Sequence, residues 1–351
     1  MGKGMKFFLV LLLCLFSAGQ LVVAQDSTHV IRVRDITPRE NFLSKLKGEL
    51  TFAPHYSAEL GAGAAFAYVT PADVTVVGDI ASQGYVLLGI LGKHPVCGGK
   101  WSVDYKAYYA YAPTDFWGVG YINGSNSGNR GEYDRKRFLL QTQAIRHVGK
   151  HFHAGPAVSW DWIQWEGLQG GRTSALGYGA VAFYDTRDNI ASPSSGLYIK
   201  AQQCNYTDFS AKPFYGTTLQ FNAFREVWSG GVLAVDFLGQ FTYGVVPWTM
   251  LPTIGGTERM RGYFRGRYMD NNAVSGQVEL RQHIWEMIGG AVWVAGANVW
   301  GKGTPFNLHN SLPGAGAGLR LKLQGGTLLR FDFGFGKDGQ NGFVFGINEA
   351  F

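Results

Sequence analysis

Four arginines crowd one stretch of this chain: Arg259, Arg261, Arg265 and Arg267 lie between Pro247 and Asn272, interleaved with Tyr263, Phe264 and Tyr268. A guanidinium stays charged at any physiological pH and carries its donors in a rigid fork, so its chemistry is ion pairing and stacking, not proton transfer. Groups able to answer it lie just downstream. On 273–285, Gln277, Glu279, Arg281 and His283 alternate with Val278, Leu280 and Ile284, which puts the polar set on one strand face. The stretch 245–272 is too long for a hairpin turn, and loops of that length inside an ordered domain are usually functional. The spacing predicts a loop that folds back, with Arg261 and Tyr263 flanking a tight turn at Gly262. Glu279 and Arg281 are its candidate partners. A desolvated Arg–Glu pair would fix the loop, because losing one member leaves a buried charge uncompensated. A solvated loop with scattered arginines is the plainer alternative.

A second polar run, 184–196, reads YDTRDNIASPSSG. Asp185, Arg187, Asp188, Pro193 and Gly196 suit a strand end and turn, where Asp and Asn bend the chain, Pro fixes φ and Gly permits the exit. Two carboxylates are too few for a calcium loop. Other constellations are thin. No G-x-S-x-G is present, and GSNSG at 124–128 has the wrong spacing. His151 and His153 share a strand face, but the position beside a turn favours a polar pair at a lumen mouth over a metal pair. Cys97 and Cys204 lack the His or Asp context of a nucleophile and allow one disulfide or none. Trp160, Trp162 and Trp165 look like an interfacial girdle. Neither an enzyme nor a cofactor or metal site is expected.

The elements that position these residues are strands. The chain opens with a secretory signal over 1–24: Lys3 and Lys6, an apolar run from Phe7 to Phe16, and Val22-Val23-Ala24 before the cut. Beyond it no apolar run is long enough for a membrane helix. With 50 glycines, 15% aromatic and only 16% charged residues, the composition departs from soluble domains, which carry about 25% charged residues and about 7% glycine. The formal charge of +6 includes the two signal lysines and is too mild to point to nucleic acid. Alternation is clean: Leu329, Phe331, Phe333 and Phe335 oppose Arg330, Asp332, Gly334 and Gly336. Fourteen such segments are visible, near 58–69, 80–91, 100–111, 136–149, 151–164, 174–187, 196–208, 214–228, 230–244, 273–285, 288–300, 313–324, 326–337 and 341–351. Residues 44–56 and 70–79 have extended character and leave room for one further pair. Short connections trade places with long ones (112–135, 165–173, 245–272, 301–312), as in barrels of the outer membrane of Gram-negative cells. The expectation is an all-β chain. A short periplasmic segment, 25–46, precedes a transmembrane antiparallel up-and-down β-barrel over 47–351, and Phe351 ends the last strand as a C-terminal assembly signal.

GGTERMRGYFRGRYMDNN followed by QVELRQHIW resembles the outer-membrane protein assembly factor superfamily, the BamA/TamA-type barrels also known as bacterial surface antigens. YDTRDNIASPSSG is similar to that superfamily's Asp-Thr-Arg-Asp turn, and GAGLRLK, LLRFDFGFG and the terminal Phe351 look like its last three strands. The likeness is firm over 174–351 and loose over 47–173. It implies 16 strands and maps the family's loop-tip arginine onto Arg261 and its acidic partner onto Glu279. Where members often carry a second acid on the next strand, this chain has Ala295. In the last strand Glu349 takes an outward position that is usually apolar. The implied role is helping polypeptides insert into or cross the outer membrane, with membrane lipid, unfolded outer-membrane polypeptides or a separate periplasmic protein as partners. The chain reads as a short member without periplasmic polypeptide-binding modules. The alternatives are a passive pore gated by the Arg-rich loop and a structural surface antigen.

Overall fold

Alternation becomes a continuous run of antiparallel hairpins in the computed structural model, which describes residues 49–208, 213–323 and 327–351. The expected signal peptide and the 25–46 segment lie outside the described residues. The strands are β1 (Glu49–Ser57), β2 (Gly61–Val69), β3 (Val74–Ala81), β4 (Val86–Val96), β5 (Trp101–Phe116), β6 (Gly131–Val148), β7 (Phe152–Glu166), β8 (Gly171–Asp185) and β9 (Gly196–Asp208). They continue with β10 (Phe214–Trp228), β11 (Gly231–Gly244), β12 (Thr253–Ile254), β13 (Tyr268–Met269), β14 (Asn272–Trp285), β15 (Ile288–Trp300), β16 (Leu312–Lys322), β17 (Leu328–Phe335) and β18 (Asn341–Ile347). β11 pairs directly with β14, β18 returns to β1, and the other barrel strands pair in sequence order, closing a barrel of sixteen strands. β12 and β13 form a separate ribbon inside the long loop. Closure pairs nearly all of the wall's backbone, as lipid requires, and among the barrel junctions only β1 and β18 meet at as few as two positions.

Sixteen strands replace the fourteen legible from alternation. The extra pair is β1 and β3, where extended character had left room. The segment expected as one strand over 80–91 is the end of β3, a turn and the start of β4. Gly84, at φ +88°, makes that turn possible. The long connections 117–130, 245–271 and 301–311 share one end of the barrel, the loop end; the opposite end is the turn end. The expected long loop 165–173 shrinks to 167–170, because β7 and β8 run on to Glu166 and Gly171.

The wall is inverted relative to a soluble protein. Ile90, Val158, Tyr178, Ile199, Phe237, Val292, Val294 and Phe333 are exposed on the outside. Inside, small residues such as Ala67, Ala175 and Ala234 alternate with buried Asp161, Asn222, Asp236, Glu279, Arg320 and Asp332. Trp160 is exposed on the outer wall. Trp165 leaves the expected girdle and packs inward on Trp248, ring centroids 5.3 Å apart.

The C-terminus differs from expectation. β18 stops at Ile347, and Phe351 does not end a strand. Asn348 adopts φ +64° and turns the chain into the lumen, where Ala350 is buried. Continued as strand, Glu349 would face lipid, where a charge is costly. Instead its Oε2 accepts from Arg320 Nε at 2.8 Å and lies 3.6 Å from Arg281 Nε.

Candidate functional site

The loop 245–271 enters the lumen because its ends are stapled and its tip is apolar on one side. The β12–β13 ribbon ties its two arms, Thr253 to Met269 and Ile254 to Tyr268. Met260, Tyr263 and Tyr268 are buried with Ile254 against Ala273, Ala297, Val299 and Leu312, whose small or aliphatic side chains leave room for them. Gly262 is required at the tip. It sits at φ +114°, and a Cβ there would come within 2.7 Å of the Gly334 carbonyl carbon. Gly334 answers it from β17, where a Cβ would overlap the Arg261 carbonyl. Tyr263 closes the contact: its hydroxyl donates to Pro313 O at 2.5 Å and accepts from Lys337 N at 2.7 Å.

This docking drives the Arg261 guanidinium, with no exposed side-chain surface, into a buried charge network. It pairs with Glu279 on β14 and with Asp332 Oδ2 on β17 at 2.6 Å. Its Nη2 also donates to Gln277 Oε1 at 3.3 Å, and the fork lies 3.6 Å from the centroid of the Trp293 ring on β15. Asp332 is shared: Arg320 Nη1 reaches Oδ1 at 2.6 Å and Arg330 Nη1 reaches Oδ2 at 2.8 Å. Four arginines (261, 281, 320 and 330) thus face three carboxylates (Glu279, Asp332 and Glu349). Charges so fully removed from water persist only when each is paired and hydrogen-bonded. A second anchor holds the loop's ascending arm, where Arg259 makes a two-pronged contact with Asp236 on β11 at 2.7 and 2.8 Å.

Two placements correct the sequence reading. Ala295 leaves Arg261 no shortage of partners: the second acid is Asp332, two strands farther round the barrel, and Ala295 packs against the apolar side of the tip. Arg281 turns toward the turn end instead of the loop. Its Nε donates to Glu279 Oε1 at 2.8 Å, its Nη1 to Pro193 O at 3.4 Å and its Nη2 to Phe351 O at 3.1 Å, with the Phe351 ring centroid 4.9 Å away.

The 186–195 turn lies across that same end. Asp188 gathers the backbone N–H groups of Asn189 (2.9 Å), Ser194 (3.0 Å) and Ser195 (3.2 Å), together with the Ser194 hydroxyl. Burial pushes its carboxyl up, but these donors outweigh it and hold the group below the usual carboxylate value. Arg187 forks onto Asp185 at 3.0 and 2.8 Å and stacks 4.4 Å from the Tyr198 ring. Gly196, at φ +106°, lets the chain leave beside the Thr186 carbonyl. Ala191 O accepts from Glu349 N at 3.2 Å, so turn, tail and Arg281 form one floor beneath the lumen.

The loop end is capped. A short helix, α1 (Tyr121–Ser125), lies over the loop: Arg267 Nε donates to Gly124 O at 2.8 Å and Gly120 N to Met269 O at 2.8 Å. Trp248 packs among Phe116, Tyr133 and Trp165. Glu59, in the β1–β2 connection, accepts the Arg265 backbone N–H; burial pushes its carboxyl up against the pull of that arginine. Between cap and floor a cavity of about 410 Å³ remains, lined by Lys106, Arg137, Asp161 and Tyr206 among others. Cys97 and Cys204 are free. His151 bonds to Asp185 O, and the partner of His153 is His147.

Glu279→Gln is the direct check on the tip contact. It keeps the shape and removes the charge, so trypsin should cut after the arginines of 255–270 about tenfold faster or more. Unchanged cleavage would sink the pairing.

No curated protein matches the chain in sequence. Among solved structures it is similar to BamA from Haemophilus ducreyi lacking POTRA domains 1–3, with TM-score 0.66 and 13% identity, covering 86% of this chain and 70% of that one. It is also similar to CdiB from Acinetobacter baumannii (TM-score 0.63, 14% identity, 86% and 60% covered) and to CdiB from Escherichia coli (0.60, 11%, 85% and 62%). The chain spans less than two thirds of either CdiB, and these likenesses are of fold. The Omp85 superfamily domain matches residues 99–351. With most of its barrel inside that match, the chain belongs to the Omp85 superfamily.

Proposed function

We propose that this outer-membrane barrel helps polypeptides insert into or cross the membrane, and that the seam between β1 and β18 is where it acts. One observation carries the reading. β1 and β18 pair only at Tyr56–Phe345 and Ser57–Val344, whereas β1 and β2 pair over nine positions and β17 and β18 over seven. Below Tyr56 the edge of β1 that faces β18 has no partner strand among the described residues: pairing stops there, and beyond Ile347 the tail turns into the lumen. An unpaired strand edge is a template for another strand. Two residue pairs hold far less backbone than any other junction, so separation here is the least costly way to open the wall. The membrane partners would be lipid and an extended polypeptide; the sequence of that polypeptide is not written in the site.

Locking the seam tests this. The Tyr56→Cys/Phe345→Cys pair, with Cys97 and Cys204 replaced by serine, should oxidise across the junction. The oxidised barrel should lose its ability to promote insertion of a small barrel substrate into liposomes, and reduction should restore it. Full activity of the locked barrel would overturn lateral opening. The passive-pore reading predicts large stable conductance instead, against a lumen occupied by the loop.

A further inference from the structure

Outside the loop network, one pair of metal-ligating side chains is already brought together by the sheet itself. His147 and His153 are direct cross-strand partners on β6 and β7, beside the 149–151 turn. The backbone N–H of His147 donates to Lys100 O on the β5 side at 2.9 Å. Its backbone groups therefore point away from β7, and the two histidines form a non-hydrogen-bonded pair, the kind whose Cα atoms approach to about 4.5 Å and whose side chains lie closest. Both share the inward parity of Ile145 and Ala157, buried residues of the lumen's turn-end cluster. Their Nδ1 atoms are 2.8 Å apart, and the rings are nearly perpendicular, at 82°. Phe183 packs on His153 with ring centroids 4.9 Å apart and steadies one of the two rings.

We propose that His147 and His153 form a two-imidazole clamp for a divalent transition metal, with Cu2+ the preferred ion. A tetragonal ion with metal–nitrogen bonds of about 2.0 Å holds cis nitrogens about 2.8 Å apart, the spacing found here. Cu2+ or Ni2+ therefore needs only that the two rings turn until both Nδ1 lone pairs aim at the ion and not at each other. A tetrahedral ion such as Zn2+ needs about 3.3 Å and must part the rings. Copper also heads the affinity order for nitrogen donors. Among the described residues no third His, Cys, Asp or Glu side chain completes a ligand group. The remaining positions fall to water at the lumen mouth or to a donor from another chain. Of the nearby groups, His151 is turned to the Asp185 carbonyl, Asp185 is held by Arg187, and Lys93 is 3.5 Å from Asp104. None of them blocks the clamp.

The test uses the full-length barrel, purified without a histidine tag and loaded with Cu2+ alone. Its electron paramagnetic resonance spectrum should show two equatorial imidazole nitrogens. His147→Ala and His153→Ala should each leave one nitrogen and weaken copper binding about tenfold or more, since the second ligand is pre-positioned by the first. His94→Ala and His151→Ala should change neither. His153→Gln, checked for the folded barrel's mobility on an unheated gel, separates loss of the ligand from loss of the fold. A wild-type spectrum with fewer than two nitrogens, or equal affinity in the folded His153→Gln barrel, would overturn the clamp.

Discussion

Replacing Arg261 with alanine is expected to release the long loop from the lumen and turn a closed barrel into a conducting one. The substitution leaves Glu279 and Asp332 facing a cavity with one fewer cation, and breaking a buried pair of this kind costs about 3–5 kcal/mol. It also strips the Trp293 face of its cation, a contact worth about 2 kcal/mol when desolvated. The loop keeps its apolar contacts through Met260, Tyr263 and Tyr268 and its second anchor from Arg259 to Asp236, but the tip no longer has a charge to neutralise. Planar-bilayer recordings should therefore show larger and noisier currents in the variant, and trypsin should cleave 255–270 readily. Small, quiet currents in both proteins would mean that the loop's other contacts suffice and that the Arg261 pairs are dispensable for closure.

The second large effect is expected at Asp332. Asp332→Asn preserves shape and removes the one carboxylate shared by Arg261, Arg320 and Arg330. Four guanidiniums would then face only Glu279 and Glu349. The expected loss is again about 3–5 kcal/mol, read as a lower urea midpoint for unfolding in detergent. Combined with Arg261→Ala, the deficit should be much smaller than the sum, because the second substitution removes a charge the first has already orphaned. Additive losses would show that Asp332 serves Arg320 and Arg330 independently of the loop.

Much of this was legible in the residues, and the gaps have identifiable causes. Alternation sufficed wherever strands were long. It failed at β1 and β3, strands of nine and eight residues, where a proline at Pro54 breaks one pattern and a small turn at Gly84 was absorbed into a neighbouring strand. Glu279 could be placed facing Arg261 because it lies on the strand that follows the loop. Alternation alone puts Asp332 on the polar face of its strand. Nothing in a linear pattern brings it to Arg261, since that depends on the curvature that carries β17 round to β14. Trp293 was invisible for the same reason. The inward course of the tail could be sensed only as an anomaly, a glutamate at a position that should have been apolar.

That tail has two mutually exclusive addresses. Extending the Tyr56–Phe345 and Ser57–Val344 register along the same diagonal sets Glu349 opposite Phe52 and Phe351 opposite Leu50. The last four residues would thus fill the bare margin of β1, but only by surrendering Arg281, Arg320 and the 186–195 turn. The length of the seam would then follow from a competition between ionic contacts inside the lumen and backbone pairing in the wall. The ions involved are shielded from water, so added salt screens them little, and the side chains at 281, 320 and 349, not ionic strength, would set how far this barrel is zipped.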